Sequence, residues 1–284
     1  MRRILTVRAR PRDRRCAAST TLQPVQEVCL DGAIVPLEEA LIPVTDEGLL
    51  RGDGVFEVMR LYDGVPFGRE PHLERMVLSA QNLRLELDIG GVERDIEMLL
   101  RSARPGDALL RVLVTRGGHR ITLIEPLPDM PEALSLGYVT YEPVRLLDGI
   151  KSLSYGANML ATRLAHERGF DEALLVTPAG HVLELPTASF FWVADGRAHT
   201  PPLSEHVLDS ITRRIVMDLA DVAEVETTLA DLERADEAFV ASSVREVIAV
   251  GRIEERELDD ERPVTDSISE QVSSHIRAEL AAVH

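Results

Sequence analysis

Lysine is almost missing from this chain. Among 284 residues there is one, Lys151, and arginine supplies the remaining formal positive charge. Acidic residues number 48 against 31 basic ones, for a formal net charge of -17. That balance disfavours nonspecific contact with nucleic acid or an anionic membrane surface, but leaves room for a small anion in a local basic pocket. Cysteine is scarce as well. Cys16 and Cys29 are too few and too oddly placed for a disulfide scaffold or a zinc site, so no metal is expected. No apolar run is long enough for a membrane helix. The opening stretch MRRILTVRARPRDRRCAAST is basic but has no apolar signal core, and reads as an extension over residues 1–26 of a cytoplasmic protein. No P-loop or dinucleotide glycine fingerprint occurs.

What remains is an ordinary globular composition, 45% apolar, in a chain long enough for one large domain or two of usual size. CLDGAIVP (29–36) and GVFEVMRLYDGVPF (54–67) both place strand residues around an Asp-Gly turn, the mark of a hairpin. Leu73, Met76, Val77, Ala80 and Leu83 recur at helical spacing, and 90–102 reads as a second helix. ALLRVLVTRG, HRITLIEPL and SLGYVTYEPV return to strand character. We therefore expect a small α/β domain over 27–145, a connection over 146–150, and a larger α/β domain over 151–284. In that second part, 154–167 reads as a helix, 172–176, 181–185 and 189–193 as strands, and Ser210 as the cap of a helix running to about 219. A short helix at 229–235, the AFVASS strand and an amphipathic helix over 267–282 complete the reading.

Nine segments fall in a telling order: RGDGVFEVMR, PHLERMVLSA, VTRGG, KSLSYGANMLA, ERGFDEALLV, GHVLE, TPPL, ITRR and ADEAFVASS. From about Cys29 to Val250 the chain resembles the class IV aminotransferases, the group of branched-chain and D-amino-acid aminotransferases and aminodeoxychorismate lyase. The resemblance implies the two-domain, mixed α/β (α+β) architecture of fold type IV and pyridoxal 5'-phosphate as cofactor. By the same resemblance Lys151 would form the Schiff base, and Glu184, thirty-three residues on, would face the pyridine nitrogen. Arg75, Ile211, Thr212 and Ser243 match phosphate-contacting positions. Tyr155 matches a position near the ring hydroxyl, and Leu208 one that packs on a ring face. Arg51, Phe56, Arg60, Arg111 and Arg116 match positions that line or approach the substrate pocket.

The chemistry suits these residue types. An amine attacks an aldehyde only when unprotonated, and burial or nearby positive charge favours that form. Freed from the cofactor, it is placed to shuttle a substrate proton. A carboxylate beside the ring nitrogen keeps that nitrogen protonated. A helix opening at ITRR offers free N–H groups to an anion, and Arg75 offers a planar fork. As bare patterns, Lys151, Glu184 and Arg75 read as solvent-facing charges and Phe56 and Leu208 as core; the resemblance supplies their roles. Arg111 and Arg116, five apart on a strand, face opposite sides and cannot share one pocket.

The chain departs from the family pattern at Leu185, Ser189, His206, Ser210 and Ala249. The expected reaction moves an amino group between an amino acid and a 2-oxo acid. Glu57 after Phe56 resembles the transferases more than the lyases, and branched-chain L-amino acids with 2-oxoglutarate are the leading pair by their frequency in the family alone. Aminodeoxychorismate lyase chemistry, a D-amino-acid substrate and a noncatalytic cofactor-binding protein are the alternatives. A homodimer is expected.

Overall fold

The computed structural model describes residues 27–282, so the expected extension over 1–26 lies outside it. Two sheets organise the chain. The first is built from hairpins. β1 (Glu27–Leu30) and β2 (Ala33–Pro36) turn through Asp31 at φ 51° and Gly32 at φ 86°. Positive φ at both central residues gives a turn whose twist matches the strands it joins. After α1 (Glu47–Arg51), β3 (Gly54–Tyr62) and the short β4 (Val65–Pro66) repeat the device at Asp63-Gly64. Helices α2 (Arg69–Leu83) and α3 (Ile89–Ala103) follow, then β5 (Ala108–Thr115) and β6 (Arg120–Glu125). The antiparallel order is β2-β1-β6-β5-β3-β4. Leu73, Met76 and Ala80 of α2, with Val92, Ile96 and Leu99 of α3, form apolar stripes buried on this sheet, where Cys29 also lies as a free thiol.

The second sheet is larger and mixed. Its elements are β7 (Ala133–Thr140), α4 (Gly156–Glu167), β8 (Glu172–Val176), β9 (His181–Val182), β10 (Ser189–Ala194), β11 (Arg197–Thr200), α5 (Ile211–Leu219), β12 (Val222–Glu224), β13 (Thr227–Thr228), α6 (Leu229–Leu232), β14 (Glu237–Ser242), β15 (Glu246–Ile253), β16 (Arg256–Glu257) and α7 (Pro263–Ala282). The strand order is β12-β11-β10-β14-β15-β7-β8-β9-β13, with β16 on β15. Both faces are apolar. Along β10, Phe190 and Trp192 enter one core while Phe191 and Val193 enter another with Ile268, Val272 and Ile276 of α7. A strand buried on both faces reads as a continuous apolar run, and SFFWVA does. Trp192 Nε1 donates to Thr227 Oγ1 at 3.1 Å, which ties β10 to the far end of the strand order.

The chain does not pass between the sheets where the sequence suggested. β7 was read with the first domain, yet it pairs with β15 and β8 in the second sheet, so the crossing falls in 126–132. Residues 151–153, read as the start of the second domain, return to the first sheet. β4 pairs only with Leu61 and Tyr62, which leaves the earlier part of β3 with an open edge. The chain fills it. Phe56 N–H donates to the Lys151 carbonyl at 3.1 Å, Leu153 N–H donates to the Gly54 carbonyl at 2.9 Å, and Val55 and Ser152 form an antiparallel bridge.

Gly54 permits that approach. A Cβ there would lie 2.4 Å from the Val114 carbonyl oxygen and 2.6 Å from Leu153 Cδ1. Gly54→Ala is expected to destabilise the protein by about 1–3 kcal/mol, the usual penalty of overpacking, and to displace the 151–153 segment. Urea denaturation with amide exchange at Leu153 checks this; unchanged stability and protection contradict it.

Candidate functional site

The returning segment forms one wall of a cavity of about 340 Å³ between the two sheets. Phe56, Val58 and Arg111 come from neighbouring β3 and β5, where Val58 stands opposite Arg111. Lys151 and Tyr155 come from the segment that leads into α4, and Glu184 from the stretch after β9.

Lys151 presents its amine to two aromatic rings. Nζ lies 4.5 Å from the Phe56 ring centroid and 5.8 Å from that of Tyr155, and the two rings meet edge to face at 5.3 Å. Its main-chain N–H donates to Ser79 Oγ at 3.1 Å, which fixes the residue against α2. Desolvation, aided by the positive charges of Arg75 and Arg111, pulls the amine down to about 8, while Glu57 and Glu184 act the other way. The neutral form is therefore within easy reach, roughly a tenth of the population one unit below that value.

Glu184 is the complementary case. Burial pushes its carboxyl up to about 7; a hydrogen bond from the Leu208 main-chain N–H, with Lys151, Arg213 and Arg75, works against this. That N–H lies 3.0 Å from Oε1, so Leu208 orients the carboxylate as well as lining the cavity. Burial likewise keeps the Tyr155 phenol protonated, and its proton goes to the Pro186 carbonyl. With its proton committed, the hydroxyl turns lone pairs to its other neighbours, the position near the ring hydroxyl included. Ser189, noted in the sequence only as a departure, has a buried hydroxyl on the cavity wall with no partner among the described residues.

At the other end, Arg75 is almost wholly buried and forks onto Glu57, with Nε–Oε1 and Nη2–Oε2 both 2.7 Å. Its Nη1 donates to the Asp209 carbonyl at 3.2 Å. Burial opposes ionisation of Glu57, but Arg75 and then His72 outweigh it and hold the carboxyl at about 2. Ser210 caps α5 by accepting from Arg213 N–H at 3.4 Å and also lines the cavity. The first helical N–H groups, at Ile211 and Thr212, have no intrahelical partner by helix geometry. Ser243 closes this end after β14. Thus Arg75, Ser210 and Ser243 converge on a patch suited to an anion.

The arginines divide. Arg111 lines the cavity, pairs with Glu125 at 2.7 Å and stands over Phe56 at 5.9 Å. Arg116 lies elsewhere, bonded to Asp53 and to the carbonyls of Leu83 and Arg84, where it pins the end of α2. Arg51 is exposed and paired with Glu47 on α1. Arg60 pairs with Glu246 at 2.8 Å and stacks on Tyr62. None of these three lines the cavity in the single chain. His206, one of the departures from the family pattern, has a φ of 66° and is joined to Asp148 at 2.5 Å across the cavity rim. His72 had escaped the sequence reading. It lies three residues before Arg75, hence on the same helix face, but only the burial of Glu57 shows that this face turns inward.

The model of the amino-transferase class IV family matches residues 54–253. A Methanocaldococcus jannaschii protein provisionally named a branched-chain-amino-acid aminotransferase is 33% identical over 83% of this chain and 91% of its own length. D-alanine aminotransferase of Listeria monocytogenes is 30% identical over 80% and 88%. A hypothetical aminotransferase of Mycobacterium tuberculosis, solved with α-ketoglutarate and PMP bound, superposes with a TM-score of 0.82 at 25% identity, covering 89% of this chain and 99% of that one.

Glu184 gives a stability prediction. Its folded value of about 7 exceeds the ordinary 4.5. Its favourable contribution is therefore complete below 4.5 and is lost as pH rises through 7. Glu184→Gln is expected to raise the melting temperature of the cofactor-free protein at pH 8 and leave it unchanged near pH 4.5. An equal shift at both pH values contradicts the assignment.

Proposed function

The chain belongs to the class IV aminotransferases, which work with pyridoxal phosphate, and on that premise we propose that it moves an amino group from branched-chain L-amino acids to 2-oxoglutarate. The observation that carries the reading is the lowered amine of Lys151 in the same cavity as the raised carboxyl of Glu184 and an anion-suited end at Arg75 and Ser243. The residues fit the cofactor: an amine near neutrality, a carboxylate oriented by a main-chain N–H, and the unpartnered hydroxyl of Ser189 on the wall.

In this reading Lys151 would hold the cofactor aldehyde, Glu184 its ring nitrogen, and Arg75, Ser243 and the start of α5 at Ile211 and Thr212 its phosphate, with Leu208 and Tyr155 lining the space for its ring. The bound cofactor supplies an electron-accepting ring and the carbon that carries nitrogen between substrates. The protein's own work is proton transfer and orientation. Lys151 Nζ would take the substrate Cα proton and return it to the cofactor carbon within the same half-reaction, and would run that transfer in reverse for the second substrate. A value of about 8 suits both directions, since general acid–base catalysis is best near the working pH. A positive ring nitrogen would keep Glu184 ionised. Arg111, turned from Glu125, takes a substrate carboxylate, and Phe56 and Val58 provide the apolar wall for a branched side chain.

A cytoplasmic homodimer belongs to the same proposal. No helix among the described residues is long and apolar enough to cross a membrane. Leu41, Val44, Leu49 and Leu50 are exposed ahead of β3, and Leu146 stands 91% exposed beside the cavity rim, surface that a second copy would cover.

Mixing the loaded enzyme with single amino acids tests the function. L-Leucine, L-isoleucine and L-valine are expected to discharge the cofactor's aldehyde absorbance, and 2-oxoglutarate to restore it. Response to D-alanine alone, or release of pyruvate from aminodeoxychorismate without an acceptor, contradicts the substrate assignment. Arg111→Ala is expected to raise KM for 2-oxoglutarate about 10–100-fold, the value of a charge-assisted hydrogen bond; an unchanged KM removes Arg111 from the pocket's work.

A further inference from the structure

His72 has no part in the reaction just described, yet both its ring nitrogens are committed. The residue is 1% exposed, with Nδ1 2.7 Å from Glu57 Oε2 and Nε2 3.1 Å from Ser243 Oγ. Proton bookkeeping fixes the direction of both bonds. Glu57, held at about 2 against its burial by Arg75 and His72, is ionised and can only accept. His72 Nδ1 must therefore carry a proton. Desolvation lowers the imidazole, with Arg75 and Lys151 acting in the same sense and Glu57 against them. The ring is neutral near pH 7, which leaves Nε2 an acceptor. Ser243 must donate to it. What Ser243 turns toward the cavity is a pair of lone pairs, the wrong face for a phosphate contact.

Charge leads to the same difficulty. Arg75 spends Nε and Nη2 on Glu57, and the two charges cancel. His72 adds none. A phosphate monoester near neutral pH carries close to two negative charges, with a second pKa of about 6. In the reading proposed above, on which this inference rests, such a group would find N–H donors at the start of α5, but on the opposite side it would meet a cluster of no net charge and an acceptor oxygen.

We propose that His72 and Ser243 form a one-proton relay behind the phosphate site: binding of a doubly charged phosphate takes one proton from solvent, held along the line from His72 Nε2 through Ser243 Oγ to phosphate oxygen. With the proton on Nε2, the imidazolium donates to Ser243 Oγ and Ser243 donates to the phosphate. With the proton on phosphate, the phosphate donates to Ser243 Oγ and Ser243 donates to Nε2. Either arrangement adds one proton, breaks no heavy-atom bond and replaces facing acceptors by a continuous donor chain. His72 acts through Ser243 and is a positioning residue. The groups facing it are Glu57 from β3, Arg75 from its own helix, Ser243 after β14, and the nearby charge of Lys151.

The test is calorimetric titration of the cofactor-free full chain with phenyl phosphate, a monoester lacking a ring nitrogen. At pH 7, in buffers of different ionisation heat, the slope of measured heat against buffer heat counts protons. Glu184 and Lys151 also titrate nearby, so the readout is the difference from Ser243→Ala, which retains both and leaves the Glu57–His72–Arg75 cluster intact. Wild type is expected to take up close to one proton more than Ser243→Ala, and His72→Asn, where it folds, is expected to match Ser243→Ala. Equal uptake in wild type and Ser243→Ala overturns the relay even though phosphate binds. Failure of phenyl phosphate to compete with pyridoxal phosphate overturns the phosphate-site reading beneath it.

Discussion

One desolvated amine sets the terms for the rest of this structure. Removing an ammonium group from water is unfavourable, and the fold answers by letting Lys151 lose its proton at about 8. That requires a fixed position against Phe56 and Tyr155. The fixing is done by main chain: the Lys151 carbonyl and Leu153 N–H extend the open edge of β3. The chain leaves the first sheet for β7 and comes back for three residues before entering α4. This double crossing brings the amine, a carboxylate and a cationic fork to one cavity from opposite halves of the molecule.

The site's charges are distributed in pairs. Glu57 balances Arg75 in a bidentate bond, so that Arg75 can sit almost wholly buried. The same cation helps to lower Lys151. Glu184 lacks such a partner; it has one main-chain N–H and the diffuse effect of three cations, and stays near 7. A carboxylate left that close to neutrality is tuned to respond when a positive ring nitrogen arrives beside it. Glu57 and Glu184 thus differ in function because their surroundings push the same side chain in opposite directions.

Local signals were legible in the sequence. Asp31-Gly32 and Asp63-Gly64 announced their turns, because few other pairs adopt positive φ at both positions. The stripe of α2, the presence of α3 and the Ser210 cap were equally plain. Sheet membership was not. β7 carries strand character, but nothing in it says which sheet it joins, since its partners β15 and β8 lie far along the chain. β15 itself passed unread within VREVIAVGRI. At the site, the order of segments made Lys151, Glu184 and Arg75 candidates, whereas the hydrogen-bond assignments of Tyr155 and Ser243 came only with neighbours in place. Arg111 and Arg116 could be separated by strand period, but the carbonyls that hold Arg116 belong to the end of α2 and could not be foreseen.

A chain with one lysine permits a direct measurement. Protein grown with lysine carbon-labelled at the ε position gives a single side-chain lysine resonance, which can be followed against pH in the cofactor-free state. The account predicts a midpoint of about 8 for Lys151. A midpoint near the 10.5 of an ordinary lysine would mean that the amine stands in water, and the site built around it would not hold.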